Sequence, residues 1–393
     1  MIYDFGVIVL KKLGQKPIIY KEIKMERFLQ LHILTPYSPS NLNRDDLNKP
    51  KSAMMGNADR IRISSQCLKR TWRTSDVFTN ELTGSIGIRT RNIKDIIINE
   101  LVDFGISDEK ELKKLVDEWV NKIYNGDKKA KEKPNQKNTD TNETVHEKNE
   151  KNELIHLSSN EIENIKRLIR EGKPLNEIKQ NEILFQREQN EAVDIALFGR
   201  MIAKTNGYNV EAAMQVSHAI TTHKVQNEVD YFTAVDDLGD SVMAGYIGET
   251  SFASGIFYEY VCINRELLLQ NLRGDIDLAD KAVRAIVEAI VTTSPNGKQN
   301  SFAALCRAVY LLAETGNQQP RTLSQAFFNP VTKQDLMAGS VEALTQWRDN
   351  TDNMYGQSWS KNYEFNVLSQ TGNLKELKNF VGIIMDDKND TSK

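Results

Sequence analysis

Arg60, Arg62, Lys69, Arg70 and Arg73 fall within residues 60–75, a stretch that holds no acid. The nearest carboxylates, Asp59 and Asp76, only flank it, so the run has no internal counter-charge. Arginine forks bind phosphate bidentately and lysine adds a compact point charge, so the cluster suits a polyanion. The whole chain carries a net charge of −3, which makes this cationic surface a local feature rather than a compositional one. Arg60-Ile61-Arg62-Ile63-Ser64 alternates with period 2. This places Arg60, Arg62 and Ser64 on one face of a strand, and Ile61 and Ile63 on the other. Ser64 or Ser65 can then cap a helix from Gln66 to about Ser75. At about 100° per residue, Gln66, Lys69, Arg70 and Arg73 form one polar stripe, with Leu68 and Trp72 opposite. A basic strand face meeting a helix N-terminus is a phosphate-binding geometry. The plainer alternative is a solvated charged face.

Other residues invite different chemistry. Asp45-Asp46 and Asp236-Asp237 could hold a divalent metal, as a nuclease would require. Adjacent acids point opposite ways in a strand, however, and in loops they commonly cap turns. His218 and His223 lie five apart with no Glu between them, unlike the spacing of a zinc-protease helix, and read as hydrogen-bonded structural histidines. His32 reads as part of a packed strand. No dinucleotide fingerprint, phosphate-binding P-loop or nucleophile elbow occurs, so no cofactor is expected.

The elements that must position the basic run follow from pattern. Phe28–Leu34 reads as a strand with Leu29, Leu31 and Ile33 on one face, followed by a polar loop over 35–52 with three prolines. Helical spacing recurs over 93–124, 160–172, 188–203 and 278–290, and 210–223 also fits a helix. A hairpin is expected from arms Glu228–Asp236 and Gly255–Asn264, with a glycine-rich tip between them; Ser301–Leu311 is strand-like. Strands mixed with helices give an α+β class.

At 393 residues, 39% hydrophobic and 27% charged, the chain reads as a globular protein of two to three domains. Cys67, Cys262 and Cys306 are far apart and lack metal spacing, which predicts reduced thiols. No apolar run approaches the roughly 20 residues that span a bilayer. A cytoplasmic location without membrane attachment is therefore expected. Met25 precedes the first clean strand, so residues 1–24 read as an extension of doubtful status. In 127–152, seven lysines nearly balance six acids and only Ala130, Pro134 and Val145 are apolar. Such a segment buries too little to offset its ordering entropy, which predicts a disordered insertion.

Five blocks appear in order: NRDD-x-N-x-x-K at 43–51, R-I-S-S-Q-x-L-K-R at 62–70, ALFGRM at 196–201, HAITTH at 218–223 and DYFTAVDDL at 230–238. Together they closely resemble CasC, the repeated backbone subunit of Cascade, the type I-E CRISPR surveillance complex. The resemblance is good over roughly 25–125 and 190–265 and looser in the last third. It implies an RRM-like (ferredoxin-like) palm over 25–90 and 205–393, a helical fingers region over 91–204 and a β-hairpin thumb at about 224–262. It further implies a non-catalytic antiviral ribonucleoprotein subunit. Copies would oligomerise along the CRISPR guide RNA (crRNA), beside other Cascade subunits, and leave the guide free to pair with a target DNA strand.

Matched residue by residue, Arg44, Lys51, Ser64, Gln66, Lys69 and Arg70 occupy the family's guide-binding motif. Arg62 and Arg73 join them on the geometry above. Met201, Tyr231 and Phe232 match positions where the family sets apolar wedges against bases; such stacking tolerates every base. Met201 reads equally well as core filler. Tyr231 and Phe232 alternate faces, so one of them should be core. Related type III backbone subunits use a loop Asp to cleave target RNA, which keeps a metal-dependent nuclease at Asp45 and Asp46 as the alternative. If 127–152 is a passive insertion, its deletion leaves assembly on RNA intact; loss of filament formation in size-exclusion chromatography would show that it contributes an interface.

Overall fold

The computed structural model describes residues 25–125, 154–185, 190–202, 206–235 and 244–383. The extension 1–24, the insertion and Asp236-Asp237 lie outside them. The strands are β1 Phe28–Ser40, β2 Ser52–Met55, β3 Ala58–Ile63, β4 Ile88–Thr90, β5 Ile155–Leu157, β6 Met214–Val216, β7 Ala219–Thr221, β8 Glu228–Val235, β9 Ala244–Asn264, β10 Tyr310–Gly316 and β11 Lys361–Asn366. The helices are α1 Ser65–Arg73, α2 Asp76–Glu81, α3 Ile93–Asp103, α4 Glu109–Asn125, α5 Ser159–Arg170, α6 Gln180–Ile183, α7 Val193–Phe198, α8 Arg265–Asn271, α9 Ile276–Thr292, α10 Gln299–Phe302, α11 Leu336–Tyr355 and α12 Leu374–Val381. They fall into two compact units: one from 1–83, 213–270 and 274–393, the other from 84–212 and 271–273. Among the described residues no helix is long and apolar enough to cross a membrane.

The first unit is built on a nine-stranded sheet in the order β11-β10-β1-β9-β7-β3-β2, with β6 and β8 also paired to β9. Its pairings are antiparallel. Consecutive residues Leu29 to Leu34 are all buried, so the centre of the sheet is covered on both faces. One face packs Leu34, Tyr258, Tyr260, Tyr310 and Leu312 against Leu323, Phe327 and Leu344. α1 and α2 pack on α9, whose Ala282, Val283, Ile286 and Ile290 are buried. His32 sits fully inside, with Nδ1 3.0 Å from the Tyr258 hydroxyl, in agreement with its reading as a packed strand residue.

In the second unit, α3, α4 and α5 bury Ile97, Leu101, Val116, Trp119, Ile165 and Leu168 in one cluster, beside the small β4–β5 pair. Gly105, at φ +105°, lies in the break between α3 and α4, so the helical stretch expected over 93–124 is two helices.

Several expectations change. The loop expected over 35–52 is partly strand, because β1 continues to Ser40. Its pairing with β10 ends at Leu34, while pairing with β9 continues past Pro36. Beyond Leu34, β1 is therefore an edge, where proline's missing donor is tolerated. The helix expected over 210–223 is instead β6 and β7, recruited by β9 and β3. These three-residue strands are too short to carry a period of their own, so non-local pairing overrides the local pattern. The hairpin's return arm is Ala244–Phe252, not Gly255–Asn264. Both are parts of the 21-residue β9, whose later half, with Phe257, Tyr258 and Tyr260, is a central strand of the sheet. Of the helix expected over 188–203, only Val193–Phe198 is helical among the described residues. Of the strand expected over 301–311, only the end belongs to β10.

Glu259 lies on β9 opposite Ile33, is buried, and its Oε1 has no hydrogen-bond partner. Burial raises its carboxyl from 4.5 to about 8. The native state therefore holds a proton that the unfolded chain releases, so Glu259's contribution is full below pH 4.5 and is lost as pH rises through about 8. Glu259→Gln should remove this decline and add roughly 1–3 kcal/mol at alkaline pH, as read by urea denaturation across the range. An unchanged pH profile would contradict the buried, neutral carboxyl.

Candidate functional site

The basic run folds as a strand-to-helix corner, as its pattern predicts. β3 delivers Arg62 and Ile63, Ser64 turns the chain, and α1 starts at Ser65. Ser64 is the N-cap, its Oγ accepting from Cys67 N at 3.3 Å. Leu68 and Trp72 are buried beneath the helix, while Gln66 and Arg70 are exposed and Lys69 and Arg73 half-buried. No acid stands in the first turn of α1, and Arg70 and Arg73 occupy its last turn, where the helix dipole favours cations.

Hydrogen bonds through the backbone and the side chain of Asn43 bring Arg44 and Lys51 to the same corner. Asn43 O accepts from Lys51 N, and Asn43 Oδ1 accepts from Ser64 N, both at 2.9 Å. Lys51 O in turn accepts from Arg62 N at 2.8 Å. Arg44 bridges Pro50 across the loop. The β2–β3 turn is Gly56-Asn57, both with positive φ, the twist a tight hairpin favours. A Cβ on Gly56 would fall 1.5 Å from the Phe328 carbonyl oxygen, so only glycine fits. None of the ion pairs among the described residues engages Arg44, Lys51, Arg62, Lys69 or Arg70. Partial burial holds the Lys69 ammonium below its ordinary pKa.

Two corner residues differ from expectation. Arg60 does not share the open face with Arg62: it is 0% exposed, its Nη1 donating to Thr221 O at 3.0 Å and its Nη2 to Phe327 O at 2.8 Å. Ser64 is 6% exposed and its hydroxyl serves the cap, so what it can offer a ligand is the corner's geometry.

His218, read as a structural histidine, stands at this surface instead. It is exposed, and its Nδ1 lies 3.0 Å from Arg62 Nη1. His223 fits the structural reading: Nε2 accepts from Ile256 N at 3.2 Å, and Nδ1 lies 3.1 Å from Lys224 O. Beside His218, a cavity of about 440 Å³ is lined by Met55, Ile220, Tyr258, Tyr260, Thr322 and Ser324 among others. The only sequence signal for His218 was its place in the HAITTH block.

The three wedge candidates are all exposed. Tyr231 and Phe232 project from opposite faces of the β8–β9 hairpin and are 60% and 43% exposed. Neither is core: among the described residues β8 pairs with β9 alone, and two strands enclose no interior. Met201, in the second unit, is 81% exposed and is not core filler. α7 ends at Gly199 (φ +82°); Arg200 then turns inward to Glu161, two contacts of 2.8 Å, and Met201 outward. Asp45 is a turn residue, its Oδ1 accepting from Leu47 N and Lys49 N, both at 2.9 Å. No group of three or more candidate metal ligands occurs among the described residues.

The profile of the CT1975-like protein family matches residues 29–381. The chain belongs to that family. No curated protein matches it. A solved chain titled "CRISPR RNA-guided surveillance complex, pre-nicking" is similar, with 27% identity and a TM-score of 0.70, covering 86% of this chain and 90% of the other. A second, titled "CRISPR RNA-guided surveillance complex", shares the fold at 21% identity and a TM-score of 0.54, covering 89% of this chain and 98% of the other. The resemblance read from the five blocks, to a CasC-like subunit of a surveillance complex, is thus borne out.

Arg60 and Arg62 are two residues apart on one strand but differ in role. Arg60→Ala leaves two buried carbonyls without donors and should cost about 2–4 kcal/mol, whereas Arg62→Ala should cost less than about 1 kcal/mol. Chemical denaturation of both variants checks the division; equal losses would contradict it.

Proposed function

We propose that this chain is a non-catalytic guide-RNA-binding subunit that oligomerises along the spacer as the backbone of a type I-E Cascade assembly in the cytoplasm. It presents the guide to a target DNA strand. The carrying observation is the corner itself. Arg44, Lys51, Arg62, Lys69 and Arg70 gather on one strand–loop–helix surface with no acid among the described residues paired to them, in a chain of net charge −3. These are donors to phosphate and sugar, which position a strand without reading its bases. That suits a subunit that must accept any guide and leave its pairing edges open.

The remaining architecture supports the reading. β10-β1-β9-β7 has the 4-1-3-2 order of a ferredoxin-like sheet, with α1 following β1 and α9 following β9. We take this as the RRM-like palm, the β8–β9 hairpin as the thumb and the second unit as the fingers. Tyr231, Phe232 and Met201 are exposed apolar groups of the kind that stack against unpaired bases. The titles of the two similar structures, both RNA-guided surveillance complexes, point the same way. Asp45's turn hydrogen bonds favour a structural over a metal-binding role.

Lys69→Glu should weaken binding of single-stranded RNA about equally for all sequences and lower the salt slope by about one phosphate contact, measured by fluorescence anisotropy across ionic strengths. Loss confined to particular sequences would contradict backbone recognition. Magnesium-dependent cleavage of guide-complementary RNA by the assembly, abolished by Asp45→Ala or Asp46→Ala, would replace the scaffold reading with the nuclease.

A further inference from the structure

His218 lies between β6 and β7, at the edge of the corner. A guanidinium has only donors, so in its 3.0 Å contact with Arg62 the imidazole Nδ1 is the acceptor. The ring is then neutral, with its proton on Nε2. Arg62 Nε donates to Ser52 O at 3.1 Å. Two acceptors from different strand segments thus fix the Arg62 fork, and its Nη2 makes no hydrogen bond within the protein among the described residues.

Among the described residues, the charged groups that act on His218 are cations: Arg62 from β3 and Lys51 from the segment before β2. Tyr258 and Tyr260 of β9 line the same cavity, and burial keeps their phenols neutral. Burial, then Arg62 and Lys51, hold the imidazole below its ordinary pKa in the free protein. A phosphate backbone laid on the corner reverses this field. It neutralises Arg62 and Lys51 and offers oxygen acceptors to an imidazolium.

We propose that His218 is a proton-linked contact for the RNA backbone: neutral and tethered to Arg62 in the free protein, protonated and paired with a phosphate in the complex. The proposal rests on the guide-RNA reading of the corner. The proton comes from solvent, so binding consumes it. Once Nδ1 carries a proton it can no longer accept from Arg62, and the released Nη1 turns to a phosphate oxygen. One histidine therefore orders the arginine before binding and adds a second charge to the grip afterwards.

The test is titration calorimetry of the full chain with a mixed-sequence single-stranded RNA, in two buffers of different ionisation enthalpy, repeated across the pH range around 6.5. The wild type should take up a fraction of a proton per subunit, with affinity rising by up to about tenfold per unit fall in pH. His218→Asn keeps an oxygen that can accept from Arg62; it should still bind RNA, but with the buffer dependence and the pH slope lost. Unchanged proton uptake in His218→Asn, or RNA binding by the wild type without uptake, overturns the proposal and leaves the guide-RNA reading standing. Failure of the wild type to bind RNA at any pH overturns both.

Discussion

Asn43 holds the corner together. Its carbonyl takes the Lys51 N–H and its side chain takes the Ser64 N–H, so one residue ties a long loop to the strand–helix junction. Ser64 is buried, and without this acceptor its N–H would be an orphan donor at a helix start, the kind of unmade hydrogen bond that costs most. Through Lys51 O the same clasp extends to Arg62. Arg44, Lys51 and Arg62 are thereby set by main-chain hydrogen bonds, and the start of α1 by the Asn43 side chain. A cation held this way loses less entropy on meeting a phosphate than one on a free loop.

Gathering cations without counter-acids carries a repulsive cost, and the structure offsets it from beneath. α1 is anchored by buried Leu68, Thr71 and Trp72, and it packs on α9. Arg70 and Arg73 stand near the helix C-terminus, where the dipole favours positive charge, while the N-terminal turn carries no acid that would compete with an external anion. His218 fits the same economy of charge. As a neutral acceptor it steadies Arg62 without adding to the repulsion.

β9 connects the other proposed contact region to the core. Its first half pairs with β8 in a hairpin that exposes Tyr231 and Phe232; its second half pairs with β1 at the centre of the sheet. A two-stranded ribbon standing alone is marginal in water, but this one continues from a buried strand and takes its direction from it. The hairpin's exposed aromatic and aliphatic side chains thus sit on a support that is rigid at its base.

Much of the site was legible in the sequence because its signals are local. Cap, helix stripe and buried Leu68 and Trp72 are decided within about one turn of their neighbours, and the acid-free run is a matter of composition. The amphipathic pattern of α9 was equally plain. β6, β7 and the full length of β9 were not, since short strands take their identity from distant partners. Arg60 and Arg62 show the limit most sharply. Period 2 treats them alike, and only the fold separates them: carbonyls 161 and 267 residues away bury the first, while the second stays at the surface beside a histidine 156 residues away. Local chemistry determined which residue types gather at the corner. Long-range burial decided which of them can meet a ligand, because a side chain's access depends on what the rest of the chain lays over it.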